Sequence, residues 1–115
     1  MPGLSIHVVD VSRGVVATGM RVDVHRCEPR VLLASGAIGN SGTLDTDALG
    51  ATMAPGMYEA TFHVADFYRA AGIVAAKVPF LDVVTYRFGI ADPAQHYHLP
   101  MKLTPWGYSC FRGGA

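Results

Sequence analysis

Long apolar runs are missing from this chain of 115 residues: no stretch of 18 consecutive apolar residues occurs, so no segment has the length to span a bilayer as a helix. A basic stretch followed by an apolar core is equally missing from the N-terminal Met1-Pro-Gly-Leu-Ser-Ile-His7, and cytoplasmic residence without a secretory signal is the expectation. No charge of one sign dominates. Nine lysines and arginines balance nine aspartates and glutamates, so there is no basic excess to displace counterions from nucleic acid. Cysteine is scarce. Cys27 and Cys110 stand far apart, form no CxxC pair, and read as two free thiols. Disorder is excluded from the other side, because half the residues are hydrophobic and the net charge is zero. A neutral, half-apolar chain of this length reads as one domain over 1–115, weakly protected against self-association.

What the chain does have is alternation with a period of two. Met20, Val22 and Val24 alternate with Arg21, Asp23 and His25. Tyr58, Ala60, Phe62 and Val64 alternate with Glu59, Thr61 and His63. Leu4 to Val9, Phe80 to Ile90, His96 to Leu103 and Trp106 to Arg112 are further strand-like runs. Turn residues separate them at Arg13-Gly14, Gly39-Asn40-Ser41-Gly42, Pro55-Gly56, Asp92-Pro93, Pro105 and Gly107. Short strands at this spacing predict an all-β sandwich or barrel built on antiparallel pairing. The alanine-rich stretch from Val64 to Gly72 breaks the alternation and predicts a helix of two turns, capped by Asp66 and closed by Gly72.

His96 and His98 are one residue apart, so on a strand both point to one face, continued by Pro100 and Lys102. Such a face makes a poor core. It is exposed or it lines a polar cavity. Two such histidines and a distant third, His7, could in principle hold a catalytic zinc, but His-x-His alone is a weak signal, and neither HExxH nor a cysteine cluster supports it. No G-x-S-x-G elbow or phosphate-cradling glycine loop occurs.

Two blocks resemble the transthyretin-related family, whose enzymes are 5-hydroxyisourate hydrolases. One is Leu4-Ser-Ile-His-Val-Val-Asp10 with Ser12-Arg-Gly14; the other is Phe80-Leu-Asp-Val-Val84, Asp92-Pro-Ala-Gln-His-Tyr-His-Leu-Pro100 and Leu103-Thr-Pro-Trp-Gly-Tyr-Ser109. Gly56-Met-Tyr-Glu-Ala-Thr-Phe62 and Phe67-Tyr-Arg69 extend the likeness over nearly the whole chain. The resemblance implies a prealbumin-type sandwich of two four-stranded sheets with one short helix. It implies a homotetramer, a dimer of dimers, with active sites in the channel between dimers. The implied chemistry is hydrolytic opening of the ring of 5-hydroxyisourate, a small-molecule substrate, with no metal and no organic cofactor.

The family's working residues are a histidine on the first strand, an arginine after a turn glycine, the second histidine of His-x-His, and a terminal Tyr-Arg-Gly-Ser. The histidines map onto His7 and His98. The arginine position holds Thr43, and the terminal motif reads Phe111-Arg112-Gly113-Gly114, with Ala115 appended. Two imidazoles can still deprotonate water near neutral pH, but a developing oxyanion wants a fixed cation or aligned donors. Lys102 stands where the family usually carries an apolar residue, on the face of His98 and roughly 13 Å along the strand. Lys102 or Arg112 is expected to balance the anion, while Thr43, Ser109, Tyr108 and Phe111 shape the pocket. Two other readings stand beside this one: the same histidine pair acting on a different small heterocycle by ring opening, cyclisation or isomerisation, and a non-catalytic binder. The retained histidines weigh against the binder.

Overall fold

The structure is a computed structural model that describes residues 3–44, 53–74 and 76–114; Ala115 of the terminal motif lies outside the described residues. In chain order the elements are β1 (Gly3–Asp10), β2 (Val15–Val16), β3 (Arg21–Cys27), β4 (Arg30–Ala37), β5 (Thr43–Leu44), β6 (Gly56–Phe62), α1 (Val64–Ala70), β7 (Val84–Ile90), β8 (His96–Thr104) and β9 (Gly107–Cys110). Two sheets form a sandwich. One runs β2-β1-β8-β9, with the two-residue β5 also pairing on β1; the other runs β4-β3-β6-β7.

The alternation in the sequence becomes the division between core and surface. Leu4, Ile6 and Val8 of β1 and Tyr97, Leu99, Met101 and Leu103 of β8 are buried, and the residues between them are not. Val22 and Val24 of β3 and Tyr58, Ala60 and Phe62 of β6 supply the inner face of the second sheet to the same apolar cluster. The outer face of that second sheet is satisfied by charge pairing. Asp23 meets His63 Nε2 at 2.8 Å, and Glu59 meets Arg30 at 2.8 Å and Arg87 at 3.6 Å.

β4 was not marked out by the alternation, and its exposure explains why. It is an edge strand with no fully buried residue, so its side chains carry little periodic signal. The fold also departs from wholly antiparallel pairing. β1 and β8 run parallel, with Ser5 opposite His98 and His7 opposite Pro100. Their hydrogen bonding joins the two ends of the chain at the centre of a sheet.

The helix starts two residues before the predicted cap. His63 is the N-cap and makes no side-chain capping bond, while Asp66 lies in the first turn. No capping side chain is needed for the Ala65 amide, which donates to the carbonyl of Asp82 at 2.9 Å. The helix closes at Gly72 as expected. Gly72 has φ of +73°, its amide donates to Arg69 O, and Ile73 donates to Tyr68 O, which together make a Schellman motif.

Asp10, at the end of β1, is the one fully buried charged residue among the described residues. Burial alone pushes its pKa up, but hydrogen bonds from the Ser12 hydroxyl and the Arg13 guanidinium outweigh that and hold the carboxyl below its ordinary range. Cys27 and Cys110 are free, as their spacing predicted. Burial pushes the Cys110 thiol up to about 11, so it is protonated at neutral pH. No helix among the described residues is long and apolar enough to cross a membrane.

Candidate active site

The outer face of the first sheet carries His7, His96 and His98. Neighbouring residues on paired strands share a face, so the pairing registers can be read as rows across the sheet. One row runs Val16, Val9, Lys102, Ser109. The next begins Thr43, His7, Pro100. The third begins Ser5, His98. Past Cys110 the tail keeps the register of β9, because the Gly113 amide donates to the His98 carbonyl at 2.7 Å. That places Phe111 at the end of the His7 row and Gly113 at the end of the His98 row.

His7 and His98 are thus diagonal neighbours on adjacent parallel strands, both partly buried. Burial lowers the pKa of His98, and the nearby His7 and His96 lower it further. At neutral pH its imidazole is therefore uncharged and free to accept a proton. His98 Nδ1 is taken up by Ser5 Oγ at 2.7 Å, which leaves Nε2 as the ring nitrogen open to a reactant.

Two glycines press on the rings. A Cβ on Gly42 would lie 2.6 Å from His7 Nε2, and this residue has φ of +84°. A Cβ on Gly113 would lie 2.8 Å from His98 Cδ2. Only glycine lets the turn before β5 and the C-terminal tail close in on the two histidines.

Of the residues expected at the site, His7, His98, Lys102, Thr43, Ser109 and Phe111 share this face. Lys102 is exposed and makes no ion pair among the described residues. Thr43 is exposed, with its hydroxyl 2.8 Å from that of Ser41. Phe111 leaves nearly half its surface open, at 48%.

Tyr108 and Arg112 are not brought there. Tyr108 pairs with the core-facing Leu103, on the opposite side of the sheet from His98. The Arg112 guanidinium lies over the Tyr97 ring at 4.1 Å from its centroid and donates to Gln95 Oε1 at 2.9 Å. Strand alternation turns both side chains away from the histidine face.

Sequence reasoning passed over Ser5. It is two residues before His7 and so on the same face, which was readable; that it lies against His96 and His98 depends on the parallel pairing, which was not. Among the described residues, no cluster of three or more His, Cys, Asp or Glu side chains is arranged to hold a metal ion.

The chain is similar to known proteins along its whole length. It is 42% identical to 5-hydroxyisourate hydrolase of Deinococcus radiodurans, over 97% of this chain and 96% of that one. It is 41% identical to 5-hydroxyisourate hydrolase 2 of Rhizobium meliloti, over 96% and 94%. Among solved structures, 5-hydroxyisourate hydrolase of Klebsiella pneumoniae superimposes with a TM-score of 0.83 at 28% identity, covering 99% of this chain and all of that one. An (S)-allantoin synthase superimposes with a TM-score of 0.88 at 34% identity, and this chain spans 43% of that protein's length. The profile of the HIUase/Transthyretin family matches residues 4–113. By fold, by motif and by these likenesses, the chain belongs to the HIUase/Transthyretin family.

Proposed function

We propose that this protein is a cofactor-free hydrolase that opens the ring of 5-hydroxyisourate or a close cyclic-imide analogue. The observation that carries the reading is the His7–His98 pair, set diagonally on one open sheet face with His98 held neutral, in a chain about 40% identical to proteins named for that activity. His98 Nε2, with His7 beside it, takes a proton from water as the water oxygen bonds to a ring acyl carbon. The carbonyl oxygen gains the negative charge. When the ring C–N bond breaks, the nitrogen leaves with the proton that His98 returns. Lys102, with no carboxylate partner among the described residues, supplies the cation that Thr43 cannot. Thr43, Ser109 and Phe111 form the surrounding walls.

The assembly that suits this chemistry is a homotetramer, a dimer of dimers that shields the histidine face in a channel between its halves. The apolar surface of Phe111 beside the histidines supports burial of this face.

The test is the decay of freshly generated 5-hydroxyisourate, followed by ultraviolet absorbance with and without protein. His98→Asn is expected to lower kcat about 10²-fold or more, the usual scale for a lost general base. A non-catalytic binder would leave the decay at its spontaneous rate with the native protein. Phe111 and Gly114, standing where the family pattern has Tyr and Ser, favour a second reading in which the preferred substrate is a less polar relative. Faster turnover of an N-alkylated analogue than of the parent would select it.

A further inference from the structure

Ser5 Oγ lies between two imidazoles, 2.8 Å from His96 Nε2 and 2.7 Å from His98 Nδ1. A serine hydroxyl has one proton to donate and can accept others. If Ser5 donates to His96, His98 must hold its proton on Nδ1 and present a bare Nε2. If Ser5 donates to His98, the tautomers of both rings reverse. We infer that Ser5 and His96 form a proton relay behind His98, setting its tautomer and carrying charge away from it during turnover. This inference rests on the hydrolase reading for its kinetic arm but not for its spectroscopic one.

The steps balance. At rest His98 carries its proton on Nδ1 and His96 on its own Nδ1. Nε2 of His98 accepts the proton of the attacking water. The Nδ1 proton of His98 then passes to Ser5 Oγ as the Ser5 proton passes to His96 Nε2. His98 is left neutral with its proton on Nε2, facing the leaving nitrogen, and the positive charge sits on His96. Donation from Nε2 to that nitrogen and return of the relay proton restore the starting state. The relay answers a specific difficulty: His98 is partly buried beside His7, where a lasting imidazolium is disfavoured. His96 stands opposite Gly3 at the start of β1, one row farther from His7 than His98 is. Both Ser5 and His96 are positioning residues, since neither needs to touch the substrate.

The charged and titratable groups that face His98 are His7 on β1 and His96 and Lys102 on β8. β9 presents the uncharged Ser109, β5 presents Thr43, and the tail presents Phe111 on this face and, from the other side of the strand, the permanently charged Arg112 guanidinium, 3.4 Å from the His96 carbonyl. The relay is therefore tested against few competing titrations.

Three variants and two readouts decide it. Ser5→Ala and His96→Asn are expected to lower kcat about 10- to 100-fold with KM changed less than twofold, and Ser5→Thr, which keeps the hydroxyl, to restore most of it. The acid limb of kcat/KM in Ser5→Ala moves to lower pH, because the oxygen that supported Nδ1–H is gone. Nitrogen NMR of the imidazoles needs no substrate; in native protein it is expected to show His98 mainly as the Nδ1–H tautomer, and in Ser5→Ala a shift toward Nε2–H. Native kcat and an unmoved acid limb in Ser5→Ala, or the same His98 tautomer ratio in both proteins, would overturn the relay. If the native protein leaves 5-hydroxyisourate untouched while the tautomer shift is seen, the relay stands and the substrate assignment falls.

Discussion

Gly42 touches His7 so closely that a single added methyl group reaches the imidazole before it reaches anything it could displace at little cost. Its positive φ disfavours any side chain by about 1 kcal/mol or more, and the clash with a ring nitrogen comes on top. Gly42→Ala is expected to lower kcat by at least tenfold as the His7 ring is pushed aside, a change visible as a shifted His7 signal by NMR. The lysine on the same face invites a plainer experiment. Lys102→Leu gives the chain the apolar residue usual at that position. If the ammonium balances the anion, turnover of the preferred substrate falls about 10²-fold, the scale of one lost oxyanion donor. Unchanged turnover would leave Lys102 as a solvated side chain. Thr43 makes the point from the other side: its hydroxyl is engaged with Ser41 and it brings no charge to the His7 row.

Among the elements, the helix offers a clean separation between stability and chemistry. α1 stacks Val64, Ala65 and Tyr68 into the core, whereas the histidines sit on the outer face of the other sheet. Gly72→Ala forces a side chain into the left-handed closing turn. It is expected to reduce unfolding free energy by about 1–2 kcal/mol, read by urea denaturation, while kcat stays native. The elements also show how far the sequence could be read. Strands with one buried face announce themselves, and β1, β3, β6 and β8 were all visible because Ile, Val, Leu and Tyr alternate with polar residues. β4 faces solvent along most of its length, and β2 and β5 have two residues each, too few for any period to register. The site was legible to the same degree. The histidine pair and its face follow from alternation and motif. The offsets between strands that turn Arg112 to Tyr97 and bring Ser5 under both imidazoles are set by pairing at long range, which no local pattern encodes.

For the whole molecule, acid is the revealing perturbation. Asp10 and Asp23 are both held below their ordinary pKa, in each case because hydrogen-bond partners outweigh the burial that would raise it. A carboxylate with a lowered pKa in the folded state stabilises that state at every pH above its unfolded value near 3.9. It loses the contribution as pH falls through its folded value. Tm is therefore expected to hold from about pH 7 to pH 5 and to fall steeply below about pH 4. Asp10→Asn, measured by calorimetry over the same range, is expected to start lower and fall less.

The parallel seam between β1 and β8 has a temporal consequence. Ser5 and His98 lie 93 positions apart, so a growing polypeptide emerges with its first histidine-bearing strand long before the strand that completes the seam exists. During synthesis Ile6 and Val8 must wait, exposed or held by transient neighbours, until the last fifth of the chain leaves the ribosome. Activity can then appear only once β8 has been made, and fragments cut short before β8 should be inert and prone to aggregate.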